Sequence, residues 1–211
     1  RRMTDGPVLH FFRKNDPAIQ ETWDQLPDYM ERSFRYMNAH FGRYPWPQYS
    51  FVQGGDGGME YPMLTLITGK RRLGSLVGVS VHESVHSWYY GVLASNEGRF
   101  PWMDEGFTTY QEMWSRGEVR VPVAMERAAK QWHDVVSIPD TAIRRRIGIV
   151  EAFSTVLDVS AGFPGAPAAG LRSDLFASKD IYDAVVYDRA ALIYSALHDV
   201  MGDERFRVFV R

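Results

Sequence analysis

One segment limits the fold more than any other. Residues 76–93 form an apolar run (Leu76, Val77, Val79, Val81, Val85, Trp88) that carries His82-Glu83-Ser84-Val85-His86 inside it. Its length and spacing predict a buried helix from about Leu76 to Leu93. Helix residues four apart sit one above the other, with Cβ atoms about 5–6 Å apart, so His82 and His86 leave the same face. Two imidazoles and a carboxylate inside an apolar helix are costly without a common partner. A Zn²⁺ ion held by one nitrogen of each histidine at ~2.0–2.1 Å supplies one. Glu83 lies one residue, about 100°, further round the helix, where it flanks the metal and can activate its water. The competing reading is a chance pentapeptide on a core helix.

The next segment answers that objection. Trp102-Met103-Asp104-Glu105-Gly106-Phe107 follows after Gly98 and Pro101, and Glu105 stands 19 residues beyond His86. A second helix, from about Met103 to Arg116, returns toward the first and brings Glu105 in its opening turn. Two histidines and one carboxylate leave a fourth position for water, the catalytic rather than the structural form of a zinc site. Glu97, in the Ser95-Asn96-Glu97-Gly98 loop, is the rival third ligand, disfavoured because a rigid element holds a ligand better than a loop. Glu112, two turns beyond Glu105, either orients a ligand histidine or is a solvated surface charge. His10, His40, His133 and His198 have no partners at ligand spacing and read as ordinary surface or packed residues.

Composition excludes several classes. The 211 residues, 45% hydrophobic and 24% charged, are ample for one globular domain. A net charge of −2 gives no pull toward nucleic acid or anionic membrane, and Arg144-Arg145-Arg146 reads as a solvated helix face. No apolar run approaches the ~20 residues of a membrane span. With no cysteine, disulfides and thiolate metal sites are ruled out, but the compartment is not assigned. The chain starts at Arg1 and stops inside a helix-like pattern (Phe206, Phe209, Val210), so it is read as one domain, residues 1–211, from a longer protein.

Around the two motif helices the pattern is mixed. Residues 18–41 show helical spacing (Ile19, Trp23, Leu26, Met30, Phe34, Met37, Phe41), with a break expected at Pro27 and an end at Gly42, Pro45 and Pro47. Tyr49 to Val52 and Met63 to Thr68 read as short strands flanking the glycine-rich turn 54–58. Residues 121–136 read as a helix closed by Pro139, 162–170 as a loop, and 183–201 as a last helix anchored by Val186, Leu192, Ile193 and Leu197. The expected class is α+β, a small sheet packed on a mainly helical body.

Four blocks together resemble the gluzincin aminopeptidases of the aminopeptidase N type. They are Gly57-Gly58-Met59-Glu60, His82 to Tyr89, Trp102 to Phe107, and Tyr187-Asp188-Arg189-Ala190-Ala191 with Met201 to Phe206, in family order. The resemblance implies a thermolysin-like catalytic domain with one Zn²⁺ and a peptide substrate with a free N-terminus. It implies that Glu60 binds the substrate's α-amino group, with Gly58 and Met59 beside it at the substrate, and that Tyr187 donates to the oxyanion. Tyr182 is a second candidate for that donor. It also implies flanking domains, since members carry an N-terminal β-domain and a C-terminal helical domain that this chain lacks. One departure touches the site: Tyr61, followed by Pro62, stands where the family motif usually has Asn.

The reading that follows is metal-assisted hydrolysis of the N-terminal peptide bond, with His82, His86 and Glu105 as ligands and Glu83 as general base. A zinc endopeptidase or a hydrolase of non-peptide substrates on the same fold is the nearest alternative, and Glu60 argues against it, because an endopeptidase has no terminal amine to bind. A catalytically silent peptide-binding scaffold is the alternative from another class; such proteins usually lose a ligand or the base, and neither is lost here.

Overall fold

A computed structural model of the chain describes residues 1–55, 57–112 and 165–211. The order of elements is β1 (Val8–Phe12), α1 (Pro17–His40), β2 (Gln48–Gly54), β3 (Gly58–Tyr61), β4 (Leu64–Thr68) and α2 (Leu73–His86). A π-helical extension, Ser87–Val92, continues α2, and a π-helical turn, Trp102–Gly106, opens a helix that runs through residues 107–112. A 3₁₀ turn, Ser173–Leu175, then leads to α3 (Lys179–Tyr182), a π-helical segment (Asp183–Arg189), α4 (Ala190–Met201) and α5 (Asp203–Phe209). The helix expected at 121–136, His133, Arg144-Arg145-Arg146 and the first part of the 162–170 loop lie outside the described residues. Among the described residues no helix is long and apolar enough to cross a membrane.

Among the described residues the sheet has four strands rather than the two expected, in the order β1-β2-β4-β3. β1 pairs parallel with β2 and β2 parallel with β4, while β3 runs antiparallel along the outer edge of β4. Register decides which side chains face the helices. Leu9 pairs with Tyr49, Phe11 with Phe51, and Phe51 with Thr65, so these residues share one face. Leu9, Tyr49, Phe51, Thr65 and Ile67 are all buried there. On β3, Gly58 pairs with Ile67 and Glu60 with Thr65, which puts both on that same inner face. Met59 and Tyr61 stand on the other face, 41% and 47% exposed.

α1 runs unbroken through Pro27, contrary to the expected break. Asp16 caps it, its carboxylate accepting from the Ala18 N–H at 2.9 Å, with Pro17 in the first turn. An interior proline costs about 3 kcal/mol, chiefly for one lost hydrogen bond and a ring clash. Ile19, Trp23, Leu26, Met30, Phe34 and Met37 are all buried along one stripe, each contributing roughly 1.5–3 kcal/mol, so packing outweighs the proline. Phe34 is the hub, its ring 5.4 Å from Tyr49 of β2 and 5.8 Å from Trp88 beyond α2. The helix thereby locks the sheet to the segment that carries the histidines.

The expected single helix over 183–201 is two pieces, the π-helical segment Asp183–Arg189 and α4, with α3 directly before them. Val186 is buried as expected, but Ile193 is 47% exposed and Tyr194 takes the inward position. The π-helical segment upstream shifts the angular phase, so a stripe counted at constant 3.6-residue spacing loses register.

Candidate metal centre

α2 is buried on nearly every side, and its polar groups are satisfied locally. Ser80 and Ser84 donate to the carbonyls of Leu76 and Ser80, and the Tyr49 hydroxyl donates to the Glu83 carbonyl at 3.1 Å. The last bond ties the sheet to the helix at the residue between the two imidazoles.

His82 Nε2, His86 Nε2 and Glu105 Oε2 converge. His82 Nε2 lies 3.2 Å from His86 Nε2 and 3.1 Å from Glu105 Oε2, and His86 Nε2 lies 3.2 Å from the same oxygen. A tetrahedral ion with bonds of ~2.0–2.1 Å spaces its ligand atoms about 3.3 Å apart, so the three atoms have the spacing of a zinc site. Nitrogen and carboxylate donors with no thiolate also suit that ion. Glu97 groups instead with Glu60 and Asp104, within 4.8 Å, and with neither histidine.

Each histidine is gripped from behind. Glu112 Oε2 is 3.2 Å from His82 Nδ1, and Asp104 Oδ1 is 2.6 Å from His86 Nδ1. Asp104 had no role in the sequence reading, although it adjoins Glu105. Glu105 itself is approached from a fourth side by Tyr187, whose hydroxyl donates to Oε1 at 2.6 Å and whose ring stacks on His82. This contact depends on Gly106. A Cβ there would overlap Ala190 and lie 2.8 Å from the Val186 carbonyl, so only glycine lets the two helical segments cross this closely. Tyr182 stands one ring further out, its centroid 6.1 Å from that of Tyr187.

The sheet closes the other side. The ligand-capable atoms of Glu60, Glu83 and His86 lie within 4.8 Å of one another. Glu60 sits in a short edge strand of its own, β3. Gly58 faces α2 at such short range that a Cβ would overlap Glu83 Oε1 and Val79 Cγ2. The Met59 side chain points away from this cluster, and its carbonyl accepts from the Thr65 hydroxyl.

The electrostatics follow from burial and pairing. Burial pushes the Glu83 carboxyl up to about 7, with His82 and His86 opposing the rise. Burial likewise raises Glu60. For Glu105 burial acts upward, but hydrogen bonds from both histidines hold it well below the carboxylate range. Burial would depress His82, yet Glu105 and Glu112 outweigh it and bring it up to about 9. Burial and the nearby Glu105 charge raise Tyr187 far above the phenol range, which keeps it a donor.

The remaining described histidines stand apart from this centre. His10 stacks on Phe12, His40 on Tyr36, and His198 is held by Tyr110 and Asp203 and stacks on Phe206.

No family model matches the chain. Rat aminopeptidase B is 39% identical over 79 residues, which is 34% of this chain and 12% of that protein. Among solved structures, leukotriene A4 hydrolase from Saccharomyces cerevisiae superposes with a TM-score of 0.65 at 17% identity, over 99% of this chain and 32% of that one. The M1 zinc metallopeptidase of Deinococcus radiodurans superposes with a TM-score of 0.51 at 21% identity, over 86% of this chain and 34% of its own. The fold is shared with part of these two solved structures, and one stretch of the sequence is similar to aminopeptidase B. It spans about a third of the length of either solved structure.

Proposed function

We propose that this chain carries the catalytic site of a zinc peptidase that removes the N-terminal residue of a peptide. The observation that carries the proposal is the set of donor atoms 3.1–3.2 Å apart with Glu60 flanking them from the sheet edge. His82, His86 and Glu105 hold the ion. Zinc supplies Lewis acidity there, polarising a carbonyl and lowering the pKa of a water toward ~7.

The remaining work falls to side chains of this protein. Glu83 accepts the water's proton and returns it to the leaving amine, a double duty suited to a carboxyl raised to about 7. Glu60 pairs with the substrate's α-ammonium, so that the bond after the first residue is the one presented. Tyr187 donates its hydroxyl to the oxygen on which charge develops. The relatives' far greater length supports a place within a larger protein whose further domains complete the cleft.

Hydrolysis of amino-acid anilides, compared with their N-acetylated forms on the full-length protein, tests the proposal. A charge-assisted hydrogen bond is worth roughly 1.5–3 kcal/mol, so free-amine substrates are expected to win by at least about tenfold. Glu60→Ala should slow the free-amine reaction and narrow that gap. Equal rates on free and blocked substrates would overturn the aminopeptidase reading.

Tyr187→Phe provides a separate check. Loss of one oxyanion donor costs about 10²–10³ in rate, so kcat and kcat/KM should fall together with KM nearly constant. A normal kcat with raised KM would instead make Tyr187 a substrate-binding group and move the donor role to Tyr182.

A further inference from the structure

We propose that Arg71 is a positioning residue for amine recognition, a clamp that holds the edge strand β3, and with it Glu60, against α2. The proposal rests on the aminopeptidase reading above and adds a residue to it. β3 is four residues long and pairs within the sheet with β4 alone, because it stands at the edge. Glu60 depends on this short strand for its place beside Glu83 and His86. Where β3 comes nearest the helix it presents Gly58, which has no side chain to grip α2 with. A second tie between strand and helix is what keeps that close approach in place.

The tie is made at the Gly57 carbonyl, one residue before β3. Arg71 Nη2 donates to it at 2.8 Å, and the Thr68 N–H of β4 donates to it at 3.1 Å. The same guanidinium reaches the helix, Nη1 donating to Ser75 Oγ at 2.9 Å. A guanidinium is planar and rigid, so two bonds from one group fix the spacing of their acceptors, as a flexible ammonium would not. Ser75, Val79 and Glu83 follow at intervals of four along α2 and so lie on one stripe. Gly58 meets Val79 and Glu83 on that stripe, while the Arg71 bridge ties Gly57 to Ser75 one turn earlier. Strand and helix are thereby joined in step along a line that ends at Glu83, with Glu60 two residues beyond Gly58.

The test compares kcat/KM on an amino-acid anilide and on its N-acetylated form, for the full-length wild type, Arg71→Ala, Arg71→Lys and Ser75→Ala. A misplacement of about 1 Å in such a site can lower the rate about 10²-fold, and a loosened strand should lower kcat/KM on the free amine by about tenfold. The acetylated substrate has no ammonium for Glu60 to meet, so its rate should change far less and the preference for a free amine should shrink in Arg71→Ala. A smaller folded fraction would slow both substrates equally and leave the ratio intact, which would overturn the proposal. Arg71→Lys keeps the charge and can make one of the two bonds, so it should restore part of the preference. Ser75→Ala cuts only the helix end and should shrink the ratio in the same direction, with the double variant no worse than Arg71→Ala, since both break one bridge. Should Arg71→Ala fail to fold, an unchanged ratio in Ser75→Ala overturns the proposal by itself. A wild type that prefers the free amine, with Arg71→Ala and Ser75→Ala keeping the full preference, overturns the clamp alone. A wild type with no such preference overturns the aminopeptidase reading and this inference together.

Discussion

Glu83→Gln is expected to leave the protein folded and loaded with zinc while lowering kcat by about 10²–10⁴-fold, the usual worth of a positioned general base. The amide keeps the size of the carboxyl and fits the same space between α2 and β3, but it cannot accept the water's proton. Glu83 contributes no atom to the three-donor set of His82, His86 and Glu105, so metal content should not change. Burial is what suits this side chain to the task, since it raises the carboxyl to about 7 where an exposed glutamate would be a much weaker base. Steady-state kinetics alongside metal analysis checks the result. A variant that turns over at the wild-type rate would remove Glu83 from the mechanism.

Gly58→Ala should be nearly as damaging, although a single methyl group is added. That methyl would occupy the space of Glu83 Oε1 and Val79 Cγ2, so either the base leaves its place or β3 lifts from α2. Both outcomes misplace a group that the proposed mechanism uses, the base Glu83 in the first case and the amine-pairing Glu60 in the second. A displacement of about 1 Å in such a site can cost about 10²-fold, and kcat/KM should fall by about that much. The nearest atoms the methyl would meet belong to Glu83 and Val79 rather than to a ligand, so the variant should keep its zinc. Wild-type kcat/KM in Gly58→Ala would mean that the close approach of strand and helix has no bearing on catalysis.

The parts of this site that were legible in the sequence are those set by a single helix or by its immediate return. His82, Glu83 and His86 follow from a four-residue repeat on one helix face, and Glu105 from the distance a turn and a new helix require. The sheet was half legible. β1 and β2 pair in parallel across the whole of α1, and such pairing has no local turn signature, so Val8–Phe12 went unseen. β3 is four residues of Gly-Met-Glu-Tyr with little strand propensity, and only its pairing with β4 reveals that Gly58 and Glu60 share the inner face. Pro27 misled because its local cost is outweighed by a buried stripe that the sequence shows but does not weigh. Tyr187 came from the family resemblance alone; its contact with Glu105 depends on the crossing at Gly106, which no periodicity encodes. Asp104 stayed silent because nothing in the spacing shows that consecutive residues reach opposite nitrogens of one ring.

The most direct measurement of the account is the zinc content of the purified full-length protein and of Glu105→Ala, determined after removal of loosely held metal. Three donor atoms at the spacing of a tetrahedral ion predict one zinc per chain in the wild type and essentially none in the variant, where two histidines remain without the carboxylate. Full zinc occupancy in Glu105→Ala, or a wild type that retains none, would contradict it.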